Sequence, residues 1–258
     1  MTLNLEHIQT ILNARHFYYA EQNHPPRTDE RWSLGFYTDF MLRHLTPSMR
    51  VLDVGCGKGH ILMEMVHGFQ YGLGIDNDPE HIQMAEEAKR AAGVTNVAFR
   101  LLEYPGQAAQ LPAESFDLLM SIRGPLPDTL EGIQAAYRLL RPDGLLFCQE
   151  IGELHYQEVT EVFGRAQEAP EGSWSKRHWD MLQKNGFDVR LAADNLTKLY
   201  FRDIYTWFDY QCNLWTWLGV PLPEADDPRI ALMAERHSNP AGEIALTAHV
   251  FWIAAVKK

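Results

Sequence analysis

Val51-Leu-Asp-Val-Gly-Cys-Gly-Lys-Gly59 is the stretch that decides the fold of this 258-residue chain. Its first four residues form a short apolar run typical of a buried strand, and a helical pattern follows the last glycine. Glycine lets the backbone turn tightly and lets a ligand approach bare peptide groups. The stretch therefore predicts a strand, a ligand-binding loop and a helix in immediate succession.

Short apolar runs alternate with helical patterns on both sides of this loop. Such strands, each followed by a helix, are typical of a parallel sheet covered on both faces. The predicted strands are 51–54, 71–75, 97–102, 116–121 and 145–149, and the predicted helices are 61–66, 79–92, 130–140, 156–167 and 175–184. The run 245–256 is predicted as a long edge strand that closes the sheet. We therefore expect an α/β fold with a doubly wound, seven-stranded, mostly parallel sheet.

The chain is expected to form a single domain over residues 1–258. Residues 1–47 show helical spacing of apolar side chains and predict an N-terminal helical cap. Residues 48–155 are expected to form the cofactor-binding core. Residues 156–258 should supply substrate-side helices and the closing strands, with a helical insertion at the aromatic-rich stretch 201–220.

Two acids accompany the glycine loop. Asp53 lies in the strand, two residues before the first glycine, and Asp76 ends the next strand. An acid at the second position can accept hydrogen bonds from both hydroxyls of a ribose. A dinucleotide fingerprint places glycines at i, i+2 and i+5, whereas here they fall at i, i+2 and i+4. Asp53 would also repel a pyrophosphate and attract a cationic amino-acid group, which favours a cationic nucleoside cofactor.

This pattern of an acid followed by GxGxG resembles the first motif of class I S-adenosylmethionine-dependent methyltransferases. Further similar stretches are Gly106-Gln-Ala-Ala-Gln-Leu-Pro112, Ser115-Phe-Asp-Leu-Leu-Met-Ser121 and Leu139-Leu-Arg-Pro-Asp-Gly144. Phe201-Arg-Asp-Ile and Thr247-Ala-His-Val-Phe resemble a little-characterised bacterial group of small methyltransferases. The resemblance covers residues 50–150 best. It implies a Rossmann-like methyltransferase fold, S-adenosyl-L-methionine as the methyl donor and S-adenosyl-L-homocysteine as the product.

The resemblance also implies a set of cofactor-binding residues. They are Asp53, Gly55, Cys56, Gly57, Gly59, Asp76, Asn77, Gln107, Ala108, Ser121 and Arg123. Gln107 stands where the superfamily usually has Asp. Glu103, which directly follows the third strand, is the alternative residue for the adenine side.

The acceptor side is expected near the carboxyl edge of the sheet, where ligands of open α/β sheets bind. The residues predicted there are Tyr18, Tyr19, Arg123 and Glu150. Glu150 and His155 are the candidates for a general base. Methyl transfer from a sulfonium mostly requires alignment and exclusion of water, so a catalytic signature is not needed. No group of side chains has metal-ligand spacing, and no metal is predicted.

Charge disfavours a polyanionic partner. The net charge is −11, and residues 1–50, 51–150 and 151–258 carry 0, −7 and −4. Because binding to nucleic acid generally requires a positive field, we expect a small-molecule methyl acceptor. An rRNA or tRNA base methyltransferase and a non-catalytic cofactor-binding protein are the alternatives. The sequence shows neither a long apolar run nor a leader, which predicts no membrane contact and a cytoplasmic location; it predicts no particular oligomeric state.

Overall fold

The computed structural model describes residues 3–14, 26–28, 39–164 and 172–258. The strands are β1 (Arg50–Val54), β2 (Tyr71–Asp76), β3 (Val97–Leu101), β4 (Phe116–Ile122), β5 (Leu140–Ile151), β6 (Phe187–Phe201) and β7 (Ile244–Lys257). The helices are α1 (Leu5–Asn13), α2 (His60–Glu64), α3 (Pro79–Ala91), α4 (Leu130–Leu139), α5 (Gln157–Phe163), α6 (Trp174–Lys184), α7 (Ile204–Trp217) and α8 (Pro228–His237).

All seven strands form one sheet in the order β3-β2-β1-β4-β5-β7-β6. The first five strands of that order pair in parallel, and β7 pairs antiparallel to β5. The parallel register places the ends of β1 and β2 side by side, with Asp53 opposite Gly74. The predicted doubly wound, mostly parallel sheet is confirmed, and the predicted helical insertion corresponds to α7 and α8.

The prediction that 245–256 is the edge strand is wrong. This segment, β7, lies between β5 and β6, and nearly all of its residues are buried. The edge is β6, whose middle residues alternate between half-buried and exposed. An unbroken apolar run marks a strand covered on both faces, and such coverage is typical of a strand inside the sheet.

The chain divides into two compact units. The sheet unit comprises Ser33–Gly152, Gly172–Asn195 and Val250–Lys258, and the helical unit comprises Met1–Trp32, Glu153–Glu171 and Leu196–His249, each as far as it is described. Strands β6 and β7 therefore continue from one unit into the other.

The sheet unit has a core of aliphatic side chains from the parallel strands, packed against α4 and α6. Capping side chains begin α3 and α4. Asp78 accepts from the N–H groups of Glu80 and His81 before α3, and Thr129 accepts from Gly132 N–H at the start of α4. Such caps satisfy backbone donors that a helix leaves open at its first turn.

The helical unit has a separate core that is rich in aromatic side chains. Trp207, Phe208 and Trp215 of α7 are buried in it, whereas Trp217 is exposed. Most of the aromatic side chains in residues 201–220 therefore serve core packing. No helix among the described residues is both long and apolar enough to cross a bilayer.

Candidate functional site

The glycine loop after β1 is fastened to the end of β2. The N–H groups of Gly55 and Cys56 both donate to Ile75 O, at 2.9 and 3.0 Å, and Gly57 N–H donates to Asp76 Oδ2 at 2.8 Å. A site for a pyrophosphate needs loop N–H groups directed at the ligand. Because these three donors are used within the protein, the loop is poorly equipped to bind phosphate.

Glycine is needed at two positions of the loop for different physical reasons. Gly57 and Gly59 both lie in the left-handed region, at φ +50° and +77°. A Cβ added at Gly57 would meet no atom within 4 Å, whereas one at Gly59 would lie 2.5 Å from Cε1 of Phe99. Gly59 is thus required by internal packing. Gly57 leaves open space against the backbone, where a ligand could approach.

Asp53 is a buried carboxylate, 3% exposed, in the middle of the sheet unit. Its Oδ2 atom is buried and has no hydrogen-bond partner among the described residues. Burial, and secondly the charge of Asp76, raises the pKa of Asp53 to about 7. A buried acceptor without a donor is costly. The position therefore favours a ligand that brings a cationic donor.

Asp76, at the end of β2, holds the loop and the following turn together. Its Oδ2 accepts from Gly57 and its Oδ1 from Asp78 N–H at 2.9 Å, while Nδ1 of His81 lies 3.6 Å from Oδ1. A carboxylate has about four acceptor positions, so capacity remains for ligand hydroxyls. Asn77 beside it is exposed. His81 is not among the predicted site residues, although its place in the first turn of a helix that Asp78 caps points to this position.

Glu103 and Gln107, the two alternatives for the adenine side, lie in one turn. Glu103 N–H donates to Oε1 of Gln107 at 3.2 Å, and Gln107 N–H donates to Glu103 O at 2.8 Å. Both residues are exposed, so the turn presents both to solvent. Ala108 is buried, and its carbonyl accepts from Arg138 at 2.6 Å. The side chain of Ala108 therefore serves the core.

Ser121 and Arg123 lie at the carboxyl end of β4. The Ser121 hydroxyl is fully buried and donates to Val54 O at 2.9 Å, which ties β4 to the end of β1. Arg123 is exposed, has a positive φ of 54°, and donates its N–H to Gln149 O at 2.7 Å. Ser121 thus shapes the loop from behind, while the Arg123 side chain projects from the edge.

Glu150, near the end of β5, is the second buried acid of the sheet unit with an oxygen, Oε1, that has no partner among the described residues. Burial, and then the charge of Asp128, raises its pKa well above the usual range. Arg123 and a backbone hydrogen bond from Gly124 oppose the shift without cancelling it. The surroundings of Glu150 therefore favour its protonated form.

His155, the other predicted base, belongs to the helical unit. Its Nδ1 accepts from His249 N–H at 3.3 Å, and its ring stacks on Tyr156 with centroids 3.9 Å apart. Glu150 belongs to the sheet unit. Tyr18 and Tyr19, expected on the acceptor side, lie outside the described residues.

The geometry brings five predicted residues to one place. The backbone bonds of the loop, the open space at Gly57 and the two acids make a single site at the carboxyl ends of β1 and β2. Its members are Asp53, Gly55, Cys56, Gly57 and Asp76. The two acids of this site can accept hydrogen bonds from cationic and hydroxyl groups of a ligand.

Comparison with known proteins gives a family and several relatives. Residues 45–203 match a family model described as "Methyltransferase domain". A stretch of 107 residues, 40% of this chain, is 33% identical to 45% of the Ubiquinone biosynthesis O-methyltransferase of Actinobacillus pleuropneumoniae. The protein of the same name from Paracidovorax citrulli is 33% identical over 104 residues, which are 40% of this chain and 43% of that one. The chain thus spans less than half the length of these curated relatives.

Solved structures show the same fold at low sequence identity. The YcgJ protein of Bacillus subtilis superposes with a TM-score of 0.61 at 18% identity, over 87% of this chain and 99% of that one. The precorrin 8W decarboxylase of Methanobacterium thermoautotrophicum superposes with a TM-score of 0.52 at 15% identity, over 88% and 92%. These likenesses concern the fold alone, since one fold hosts different reactions.

Proposed function

Because the chain belongs to the family described as methyltransferase domain, whose model it matches over residues 45–203, we propose that it is an S-adenosylmethionine-dependent methyltransferase acting on a small molecule. The single observation that carries the choice of cofactor is Asp53 Oδ2, a buried carboxylate oxygen without a donor among the described residues. The ammonium of the donor's amino-acid part supplies both a positive charge and N–H groups. It therefore fits an atom that is costly to leave alone.

The other residues of the site fit the remaining parts of this donor. Asp76 has acceptor positions left for the ribose hydroxyls, and Gly57 leaves room for the ligand against the backbone. The turn that carries Glu103 and Gln107 is assigned to the adenine side. A dinucleotide fits less well, because three loop N–H groups already donate to Ile75 and Asp76, and the carboxylate of Asp53 would repel its phosphates.

When bound, S-adenosylmethionine supplies a methyl group on a sulfonium, which is already activated for in-line displacement. The work of this chain is then to bind, orient and exclude water. An acceptor hydroxyl also has to lose its proton, and we assign the uptake of that proton to Glu150. Burial raises the pKa of this carboxyl, which makes its ionised form a stronger base than an exposed carboxylate.

The acceptor is proposed to be a small molecule that is methylated on oxygen. The relatives from Actinobacillus and Paracidovorax carry the name O-methyltransferase of ubiquinone biosynthesis, and they share 33% identity with part of this chain. The net charge of −11 supports a small acceptor over RNA, since a polyanion would be repelled. We assign the donor to residues 48–155 and the acceptor side to residues 1–47 and 156–258.

The test supplies the purified chain with methyl-labelled S-adenosylmethionine and two separated fractions of a bacterial extract, one of small molecules and one of RNA. We expect S-adenosylhomocysteine release and label in the small-molecule fraction. Asp76→Ala should strongly reduce both at donor concentrations near the wild-type Kd, whereas Asp180→Ala, which removes a half-exposed acid of α6 that pairs with Lys176, should leave them unchanged. Label confined to RNA would overturn the acceptor class. Failure of calorimetry to detect S-adenosylhomocysteine binding would overturn the methyltransferase proposal itself.

A further inference from the structure

The helical unit contains a cavity of about 650 Å³, and the described residues that line it are not among those assigned to the methyl donor. Its lining residues are Arg27, Thr28, Gln157, Leu196, Thr197, Lys198, Tyr200 and Thr247. This volume suits a small organic molecule, since ligand sites span roughly 300–1,000 Å³. Of these described lining residues two are cationic and none is acidic, although the chain has a net charge of −11.

Lys198 is held in place by a buried acid. Its Nζ donates to Glu158 Oε1 at 2.6 Å and to Thr247 Oγ1 at 2.9 Å. Thr247 also donates to Glu158, from its N–H at 2.8 Å and from its hydroxyl at 2.7 Å. Burial opposes ionisation of Glu158, but these hydrogen bonds outweigh it and lower the pKa of the carboxyl. An ammonium has three N–H donors, so one remains after these two bonds.

Arg27 is fixed through both its backbone and its side chain. Its N–H donates to Tyr200 O at 2.9 Å and its carbonyl accepts from Tyr200 N–H at 3.0 Å. The guanidinium lies 4.1 Å over the Tyr200 ring, and Nη2 donates to Glu243 at 3.1 Å. Among the described residues, Nε and Nη1 have no hydrogen-bond acceptor. These two nitrogens are therefore available to donate to a ligand, and the contacts with Tyr200 and Glu243 orient them.

The chemistry of the wall selects the ligand. Lys198 and Arg27 line the cavity, whereas their acidic partners Glu158 and Glu243 do not, so the ligand meets the cations first. The four charges cancel, and a monoanion therefore disturbs the balance less than a dianion such as phosphate would. Leu196, 53% exposed, adds an apolar surface to the same wall.

We propose that this cavity binds a small monocarboxylate with an apolar body. The carboxylate accepts from Lys198 and Arg27, and the apolar body contacts Leu196. Binding of this kind needs neither the methyl donor nor the glycine loop, so the proposal stands or falls independently of the proposed methyl transfer.

The test measures binding of benzoate to the full chain by calorimetry, with benzamide as the neutral isostere and phenyl phosphate as the dianion. We expect saturable binding of benzoate and markedly weaker binding of both other probes. Lys198→Met should weaken benzoate about tenfold, the usual cost of losing one charge-assisted hydrogen bond, and Lys198→Arg should restore part of the affinity. Lys176→Met, which removes an exposed lysine of α6, is the matched control and should bind like the wild type.

A second variant guards against misfolding, because Lys198→Met leaves Glu158 buried without its cation. Arg27→Gln does not touch that acid and should also weaken benzoate, while S-adenosylhomocysteine binding stays unchanged in every variant. The proposal is overturned if benzoate does not bind the wild type, if benzamide binds equally well, or if a folded Arg27→Gln variant retains full affinity. Tighter binding of phenyl phosphate than of benzoate would overturn the monocarboxylate class.

Discussion

Asp53 should make binding of the methyl donor and its product depend on pH. In the unliganded protein the pKa of this carboxyl is raised to about 7, so it carries a proton at pH 6 and has lost it by pH 8. The cationic amino group of S-adenosylhomocysteine binds best to the ionised form. Bound ligand therefore lowers the pKa of Asp53, and binding at low pH has to release the proton.

The size of the pH effect on ligand affinity follows from this pKa of Asp53. With a pKa of about 7, ligand affinity is reduced by roughly elevenfold at pH 6 and is almost undiminished at pH 8. The expected change between these conditions is about tenfold in Kd, or ~1.4 kcal/mol. Binding should release about 0.9 proton per ligand at pH 6 and about 0.1 at pH 8.

Calorimetry with S-adenosylhomocysteine at pH 6, 7 and 8, in two buffers of different ionisation enthalpy, measures affinity and proton release together. Asp53→Asn is the control, because an amide of nearly the same shape cannot titrate, and any pH dependence left in this variant belongs to the ligand. A flat affinity with no proton release in the wild type would refute the reasoning. An Asp53→Asn variant that still released the proton would do the same.

The sign of the stability effect can be checked on the same group. A pKa raised above the unfolded value of 3.8 means that the folded protein holds a proton which the unfolded chain gives up. The stabilisation is therefore fully present below about pH 4 and is lost as the pH rises through about 7. S-adenosylhomocysteine should restore part of this stability at pH 8, since the ligand binds only the folded protein. Urea unfolding with and without ligand at pH 5 and pH 8 measures both effects.

Three further predictions concern the same edge of the sheet. Asp76→Ala should weaken S-adenosylhomocysteine by roughly tenfold to hundredfold, since charge-assisted hydrogen bonds contribute about 1.5–3 kcal/mol; unchanged calorimetry in a folded variant would reject the ribose assignment. Gly57→Ala and Gly59→Ala each place alanine in a left-handed backbone conformation, which costs about 1–2 kcal/mol, but only the Cβ added at position 59 overlaps Phe99. The melting temperature should therefore fall further in Gly59→Ala, whereas ligand binding should weaken in Gly57→Ala. The reverse order of melting temperatures would contradict the packing argument. Glu150→Gln should gain stability relative to the wild type as the pH rises, because the raised pKa of Glu150 means that its ionisation destabilises the folded protein. The variant should also lower turnover. A difference in denaturant midpoint between variant and wild type that does not change with pH would argue against a buried, titrating Glu150.

Much of the candidate site could be predicted from the sequence, because its pattern is local. A strand, three glycines and a helix follow one another between residues 50 and 64, and parallel pairing brings the end of the next strand beside them. Asp53 and Asp76 could be located because strand ends on one edge of a parallel sheet meet at that edge. The caps at Asp78 and Thr129 are likewise short-range and follow from residue type and spacing.

Tertiary structure decided the features that depend on distant pairing. The observed order places β7 inside the sheet and β6 at its edge. The apolar run of β7 fits an inner position, but the strands that it pairs with lie far away along the chain. Lys198, Glu158 and Thr247 are separated by 40 to 89 positions along the chain and meet only when their elements pack. The orphaned oxygen of Asp53 is likewise a property of its surroundings. Sequence alone determined the local features, namely the succession of strand, glycine loop and helix and the residues that cap the helices. Burial and charge pairing arise between segments far apart in the chain, and only folding brings those segments together.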